Sequence, residues 1–327
     1  MTNLSNDELK EIKRGGFDHK KLYAAFDRAS KSSEKPTVIL VKTLKGYGLG
    51  EGSEGRNIAH QKKTMSDEER VEIAERLGIP LSKEECISAK FYVPDQDSEE
   101  MKYMHKMRQN LDGYQPIRHE EYKPLKAPDL NQFSDFTDGI DRSISTTLAL
   151  VRMMSKMLRD KEIGPYLVPI IPDEARTFGM DGLFSQAGIY SPSGQNYEPV
   201  DAGTISPYKE AKDGQILQEG ICEAGALASF MAAGTAYSHS ELPMIPIYIF
   251  YSIFGMQRVG DMVWACGDAM TKGFLIGGTA GRTTLNGEGV QHQDGQSHVL
   301  ASVVPNMMTY DPAFAYELAV IMQDGIK

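Results

Sequence analysis

The segment that follows Glu223, Ala-Gly-Ala-Leu-Ala-Ser-Phe-Met-Ala-Ala, constrains this chain more than any other. As a helix it is apolar on every side, so it belongs inside a layered core rather than on a surface. Gly225, Ala226, Ala228, Ala232 and Ala233 leave room for another backbone to come close. Glu223 sits at the mouth of this helix. An acid there is paired, held by the free amides of the first turn, or functional.

The surroundings of that helix alternate. Ser143–Arg159 reads as a helix, Tyr166–Ile171 as a strand, Gly220–Tyr237 as the apolar helix and Met244–Tyr251 as a strand. Gly255–Met270 then reads as a helix, Phe274–Gly278 and Ser302–Tyr310 as strands, and Ala313–Gln323 as a helix. Strand–helix alternation predicts an α/β fold with a parallel sheet covered on both faces, and ligands at the carboxyl ends of its strands.

The first part of the chain differs in texture. A polar helix leads into Thr37-Val-Ile-Leu-Val-Lys-Thr43, which reads as a buried parallel strand. One helix and one strand do not make a domain, so residues 1–60 read as the end of a domain that begins earlier. Residues 61–125 are dense in charge and punctuated by prolines, with helices expected at Asp67–Leu77 and Ser98–Gln109. They read as a solvated linker. Residues 126–327 form the second domain.

Net charge and cysteine use exclude several classes. The net charge is −10, with 35 Lys plus Arg against 45 Asp plus Glu, and no basic stripe suggests nucleic acid. Cys86, Cys222 and Cys266 form no CxxC pair, which points to a reduced cytoplasmic setting. No apolar stretch is long enough to span a bilayer.

Five segments carry candidate chemistry. Lys45-Gly-Tyr-Gly-Leu-Gly-Glu-Gly-Ser-Glu-Gly-Arg-Asn-Ile-Ala-His60 follows the first strand. Its glycines suit either a mobile loop over a site or a plain surface loop. In the first case Lys45 would meet an anion and His60 would bring a proton donor. Asp173-Glu174-Ala175-Arg176 follows a strand and fits a site or a helix N-terminus equally. Gln218-Glu-Gly-Ile-Cys-Glu223 opens the apolar helix. Tyr248-Ile-Phe-Tyr-Ser-Ile-Phe254, leading to Arg258, offers rings for stacking or for core packing. Gly277 to Gly295 is a long polar loop bearing His292; with His298 six residues on, its spacing does not suit zinc.

Taken together and in order, these segments resemble one family. Lys-Gly-Tyr-Gly-Leu-Gly with Asn-Ile-Ala-His, Asp-Glu-Ala-Arg-Thr-Phe-Gly-Met, Ile-Leu-Gln-Glu-Gly-Ile and Gly-Arg-Thr-Thr-Leu-Asn-Gly-Glu-Gly all occur, as does the closing Tyr310-Asp-Pro-Ala-Phe-Ala-Tyr. The chain resembles the homodimeric-type pyruvate dehydrogenases, thiamine-diphosphate decarboxylases of the pyruvate dehydrogenase complex. The resemblance implies a transketolase-like fold, a homodimer, pyruvate as substrate, and acetyl transfer to the lipoyl domain of a dihydrolipoyl acetyltransferase.

The resemblance also implies residue roles. Glu223 would hydrogen-bond N1′ of the aminopyrimidine and Phe254 would stack on that ring. Lys45 would lie near the diphosphate. Tyr251, Asp173 and Glu174 would line the substrate end, with His292 near the reacting carbon. His60 would serve acetyl transfer from a mobile loop. The family's Gly-Asp-Gly magnesium motif does not occur in the sequence, so the Mg2+ ligands are expected outside this chain, which reads as an internal fragment. Cys222 stands where Asn is usual, Phe250 where Tyr is common, and Gln293 where an acid is usual.

Overall fold

The computed structural model describes residues 5–11, 15–32, 35–114, 122, 124–172, 175–280 and 289–327. The chain divides into two compact units, Met1–Gln115 and Pro116–Lys327.

In the first unit the described helices are α1 (Asn6–Glu11), α2 (His19–Ser30), α3 (Asp67–Leu77), α4 (Lys83–Ile87) and α5 (Glu99–Gln109). Short polar side chains start them. Asp18, Ser66, Ser82 and Ser98 each accept a backbone N–H of the first turn, and Ser66 with Glu69 and Ser82 with Glu85 complete reciprocal capping boxes. Helix α3 stops at Gly78, whose φ of 64° is the left-handed conformation that glycine takes without strain. The sequence predicts α3 and α5 at these positions.

The strand expected at Thr37–Thr43 is not formed. These residues make no ladder, and Val38 and Leu40 are 81% and 92% exposed. A strand needs a neighbour for its N–H and C=O groups, and no strand lies among the described residues of this unit to supply one.

The second unit holds α6 (Thr146–Met157), β1 (Leu167–Ile171), α7 (Phe184–Ala187), β2 (Ile189–Tyr190), β3 (Glu210–Ala211) and β4 (Leu217–Gln218). It continues with α8 (Glu223–His239), β5 (Ile245–Tyr251), α9 (Ser252–Asp268), β6 (Phe274–Gly278), α10 (Ser297–Ala301) and α11 (Ala315–Ile326). Strands β2 and β3 pair separately. The main sheet has the order β4-β1-β5-β6 with every pair parallel. That is the expected α/β architecture.

Period-two alternation along β5 builds a core on each face of the sheet. Ile245, Ile247 and Ile249 join Leu150, Met153, Met154 and Met157 of α6 and Leu318 and Met322 of α11. Tyr248 and Phe250 join Ala226, Leu227 and Phe230 of α8 and Val259, Val263 and Cys266 of α9. A strand covered on both sides is apolar throughout. From β4 the chain passes through α8 into β5 on the far side of β1. This change of direction is a topological switch point, and in open parallel sheets ligands bind outside the carboxyl ends of the strands at such a point.

Two further expectations change. Helix α8 is buried on one face only, and Ala224, Ala228 and Ala232 on the opposite face are exposed. The strand expected at Ser302–Tyr310 is irregular. Pro305 lacks the N–H that a ladder needs, Val304 packs into the core under α9, and Asn306 Nδ2 donates to Gly267 O at 2.9 Å. These local bonds replace the ladder.

Candidate active site

Glu223 is the first residue of α8. Gly220, with φ of 70°, turns the chain out of β4, and Cys222 caps the helix as its Sγ accepts the Gly225 N–H at 3.4 Å. The Glu223 side chain is 12% exposed and ion-pairs with Arg258 Nη1. The helix N-terminus adds its own partial positive charge. Beneath it Tyr248 is fully buried, and its hydroxyl reaches Glu223 O at 3.5 Å. Burial first, and then the Glu223 charge, push the Tyr248 phenol well above its ordinary pKa, so it stays protonated.

Arg258 lies one turn after Phe254 on α9. Its guanidinium stands 4.2 Å from the centre of the Phe254 ring while holding Glu223. A flat cation thus stacks on one ring and donates to one carboxylate. The bare sequence does not single out Arg258 for this pair, although its i, i+4 spacing from Phe254 is the available signal.

Three rings close the other side. Tyr251 and His292 are 5.1 Å apart centre to centre, His292 and Phe254 5.4 Å, and Tyr251 and Phe254 5.9 Å, all edge to face. Phe178 backs Tyr251 at 5.2 Å. Tyr251 ends β5, Phe254 lies in the first turn of α9, and His292 closes the short 3-10 turn Val290–His292.

Of the residues expected at a site, the second unit therefore brings together Glu223, Phe254, Tyr251 and His292. Asp173 and Glu174 lie outside the described residues, as does the whole run from Gly281 to Glu288. Arg176, beside them, is occupied structurally. It ion-pairs with Asp201, donates to Ser206 O at 2.7 Å and thereby ties down the segment ahead of β3.

The first unit brings Lys45 and His60 together, with Nζ 2.6 Å from Nδ1. An ammonium only donates, so Nδ1 accepts and a neutral His60 ring carries its proton on Nε2. The loop between them is held to α3: Glu54 accepts from Arg76 Nη1 at 2.9 Å and from Gly48 N at 3.4 Å. The Arg76 hydrogen bond keeps the Glu54 carboxyl below its ordinary pKa.

The sequence model for the "Pyruvate dehydrogenase E1 component middle domain" matches residues 125–327. The chain belongs to this family. It is 52% identical to the "Pyruvate dehydrogenase E1 component" of Pseudomonas aeruginosa and 51% identical to that of Escherichia coli K12, over 100% of its own length. It spans 37% of the length of each of these curated relatives. A transketolase from Campylobacter jejuni has the same fold, with a TM-score of 0.59 over 94% of this chain and 43% of that one, at 16% identity. The residues that match this middle-domain model, 125–327, lie within the second unit, as do Glu223, Arg258 and the three rings.

Proposed function

We propose that this chain carries the aminopyrimidine side of a thiamine-diphosphate site, in an enzyme that decarboxylates pyruvate oxidatively and passes the acetyl group to the lipoyl domain of an acetyltransferase. One observation carries this reading. At the strand ends a flat guanidinium lies on Phe254 and donates to Glu223. An aminopyrimidine is likewise a flat, basic ring with a nitrogen that meets a carboxylate, so the donor set fits that half of the cofactor. The whole-length identity to pyruvate dehydrogenase E1 components supports the substrate class.

When bound, the cofactor would supply a carbanionic carbon as nucleophile and electron sink for decarboxylation. The protein's part is to orient and to hold protons. Glu223 holds a proton at the pyrimidine nitrogen in a site largely closed to water. Phe254 fixes the ring plane. Tyr251 and His292 face the substrate end, with Asp173 and Glu174 following β1. For the first unit we infer, from the family resemblance alone, that Lys45 serves a diphosphate and His60 serves acetyl transfer. Among the described residues no three His, Cys, Asp or Glu side chains gather at one point. No metal step is assigned to these residues.

We also infer a homodimer in which the open Ala224–Ala228–Ala232 face of α8 is covered, and a cytoplasmic enzyme. Among the described residues no helix is long and apolar enough to cross a membrane.

The test is donor choice in the full-length protein. With an artificial electron acceptor, pyruvate supports turnover and ketose phosphates do not. Turnover with a ketose phosphate and none with pyruvate would move the chain to transketolase chemistry.

A further inference from the structure

The polar loop that carries His292 returns to the sheet through one buried acid. Asp294 is 6% exposed, and Ser252, its partner, is 5% exposed. Ser252 Oγ donates to Asp294 Oδ2 across 42 residues of sequence. The other oxygen, Oδ1, accepts the backbone N–H of Gln296 at 3.0 Å and of Ser297 at 3.2 Å. Ser297 Oγ then donates back to Ser252 O at 3.2 Å, closing a ring of bonds between the start of α9 and the start of α10. From the sheet, a Cβ on Gly277 would come within 2.9 Å of Ser252 Oγ, so β6 is pressed against the same point.

The position of this clamp matters more than its strength. Ser252 is the residue after Tyr251 and two before Phe254. Asp294 is two residues after His292. The two sides of the ring triangle come from segments far apart in sequence, and the Asp294–Ser252 bond joins them next to the rings. Burial works to raise the Asp294 pKa, but hydrogen bonds from Ser252, Ser297 and Gln296 outweigh it and leave the carboxyl below its ordinary value. It is therefore a carboxylate at neutral pH, able only to accept, which matches the three donors around it, Ser252 Oγ and the backbone N–H groups of Gln296 and Ser297. Nothing in the cofactor or substrate chemistry above uses it.

We propose that Asp294, through Ser252, is a positioning residue that holds His292 against Tyr251 and Phe254. The functional consequence rests on the pyruvate reading of the site, whereas the geometric part does not. Small displacements of a reacting group cost on the order of 100-fold in rate. In the full-length protein, Asp294→Ala should lower turnover with pyruvate by about 10- to 100-fold, with thiamine-diphosphate affinity within about threefold of wild type, because Glu223, Arg258 and Phe254 are untouched. Asp294→Asn keeps the shape and one accepting oxygen, and should recover most of the loss. Ser252→Ala, which keeps the acid and its backbone bonds, should show a smaller loss of the same kind and serves if Asp294→Ala does not fold.

The deciding measurement is a double-mutant cycle. In a His292→Ala background, Asp294→Ala should cost less than about threefold further. Full additivity would overturn the proposal. A second readout is independent of catalysis. With selectively 13C-labelled histidine, the His292 ring signals in wild type should carry the shifts imposed by two edge-on aromatic rings, and Asp294→Ala should lose them while Asp294→Asn keeps them. Unmoved His292 signals in Asp294→Ala would sink the positioning role even where turnover changed. A full-length wild type inactive with pyruvate would instead sink the functional reading, leaving the ring-signal result to judge the geometry.

Discussion

At the scale of residues, the candidate site is built from pairs whose members lie far apart in the chain. Glu223 meets Arg258, and Ser252 meets Asp294. The Asp294 carboxylate sits where water is scarce, and its shifted pKa gives it a pH signature. For Asp294 the folded pKa lies below the unfolded value of about 3.9. The stability it contributes is therefore complete above that value and is lost as pH falls through the folded pKa. In the full-length protein the melting temperature of Asp294→Asn should lie below wild type at pH 6, and the gap should narrow as pH drops below about 4. A gap that is constant with pH would mean that the Asp294 charge contributes nothing.

At the scale of elements, β5 shows why so much of the middle domain was legible in the sequence. Ile245 to Tyr251 is apolar at every position, a pattern that only a strand covered on both faces can use. Helix α3 was legible from its Ser66–Glu69 capping box and closing Gly78, whereas α8 was legible as a helix but not as one exposed along Ala224, Ala228 and Ala232. Thr37–Thr43 shows the limit: its β-branched residues promise a strand, but pairing is a property of neighbours, and the described first unit has none to offer. Ser302–Tyr310 failed because Pro305 and Asn306 make local bonds that compete with a ladder. Glu223 and the aromatic run were visible as candidates, whereas the partners Arg258 and Asp294 had to await three dimensions. Packing gives the element-scale prediction. A Cβ at Gly255 would lie 2.1 Å from the Phe250 ring, whereas at Gly260, on the same helix, nothing stands within 4 Å. Gly255→Ala should destabilise by about 1–3 kcal/mol in denaturant unfolding, through overpacking. Gly260→Ala should be neutral or stabilising by up to about 1 kcal/mol. Equal effects would show that the α9–β5 contact is looser than described.

At the scale of the whole molecule, this chain contributes a parallel-sheet middle domain that gathers one carboxylate, one flat cation and three rings at the strand ends. It spans 37% of the length of the E1 components to which it is similar, and Val38, Leu40 and the Ala224–Ala228–Ala232 face of α8 are exposed. In the reading proposed above, Glu223 activates the cofactor by holding a proton at its pyrimidine nitrogen. The most direct measurement is hydrogen–deuterium exchange at C2 of thiamine diphosphate bound to the full-length protein. Placed proton transfer is worth roughly 10²–10⁴-fold. Glu223→Ala should slow the exchange by about that factor while the protein stays folded and His292→Ala exchanges at close to the wild-type rate. Exchange in Glu223→Ala as fast as in wild type would contradict the claim.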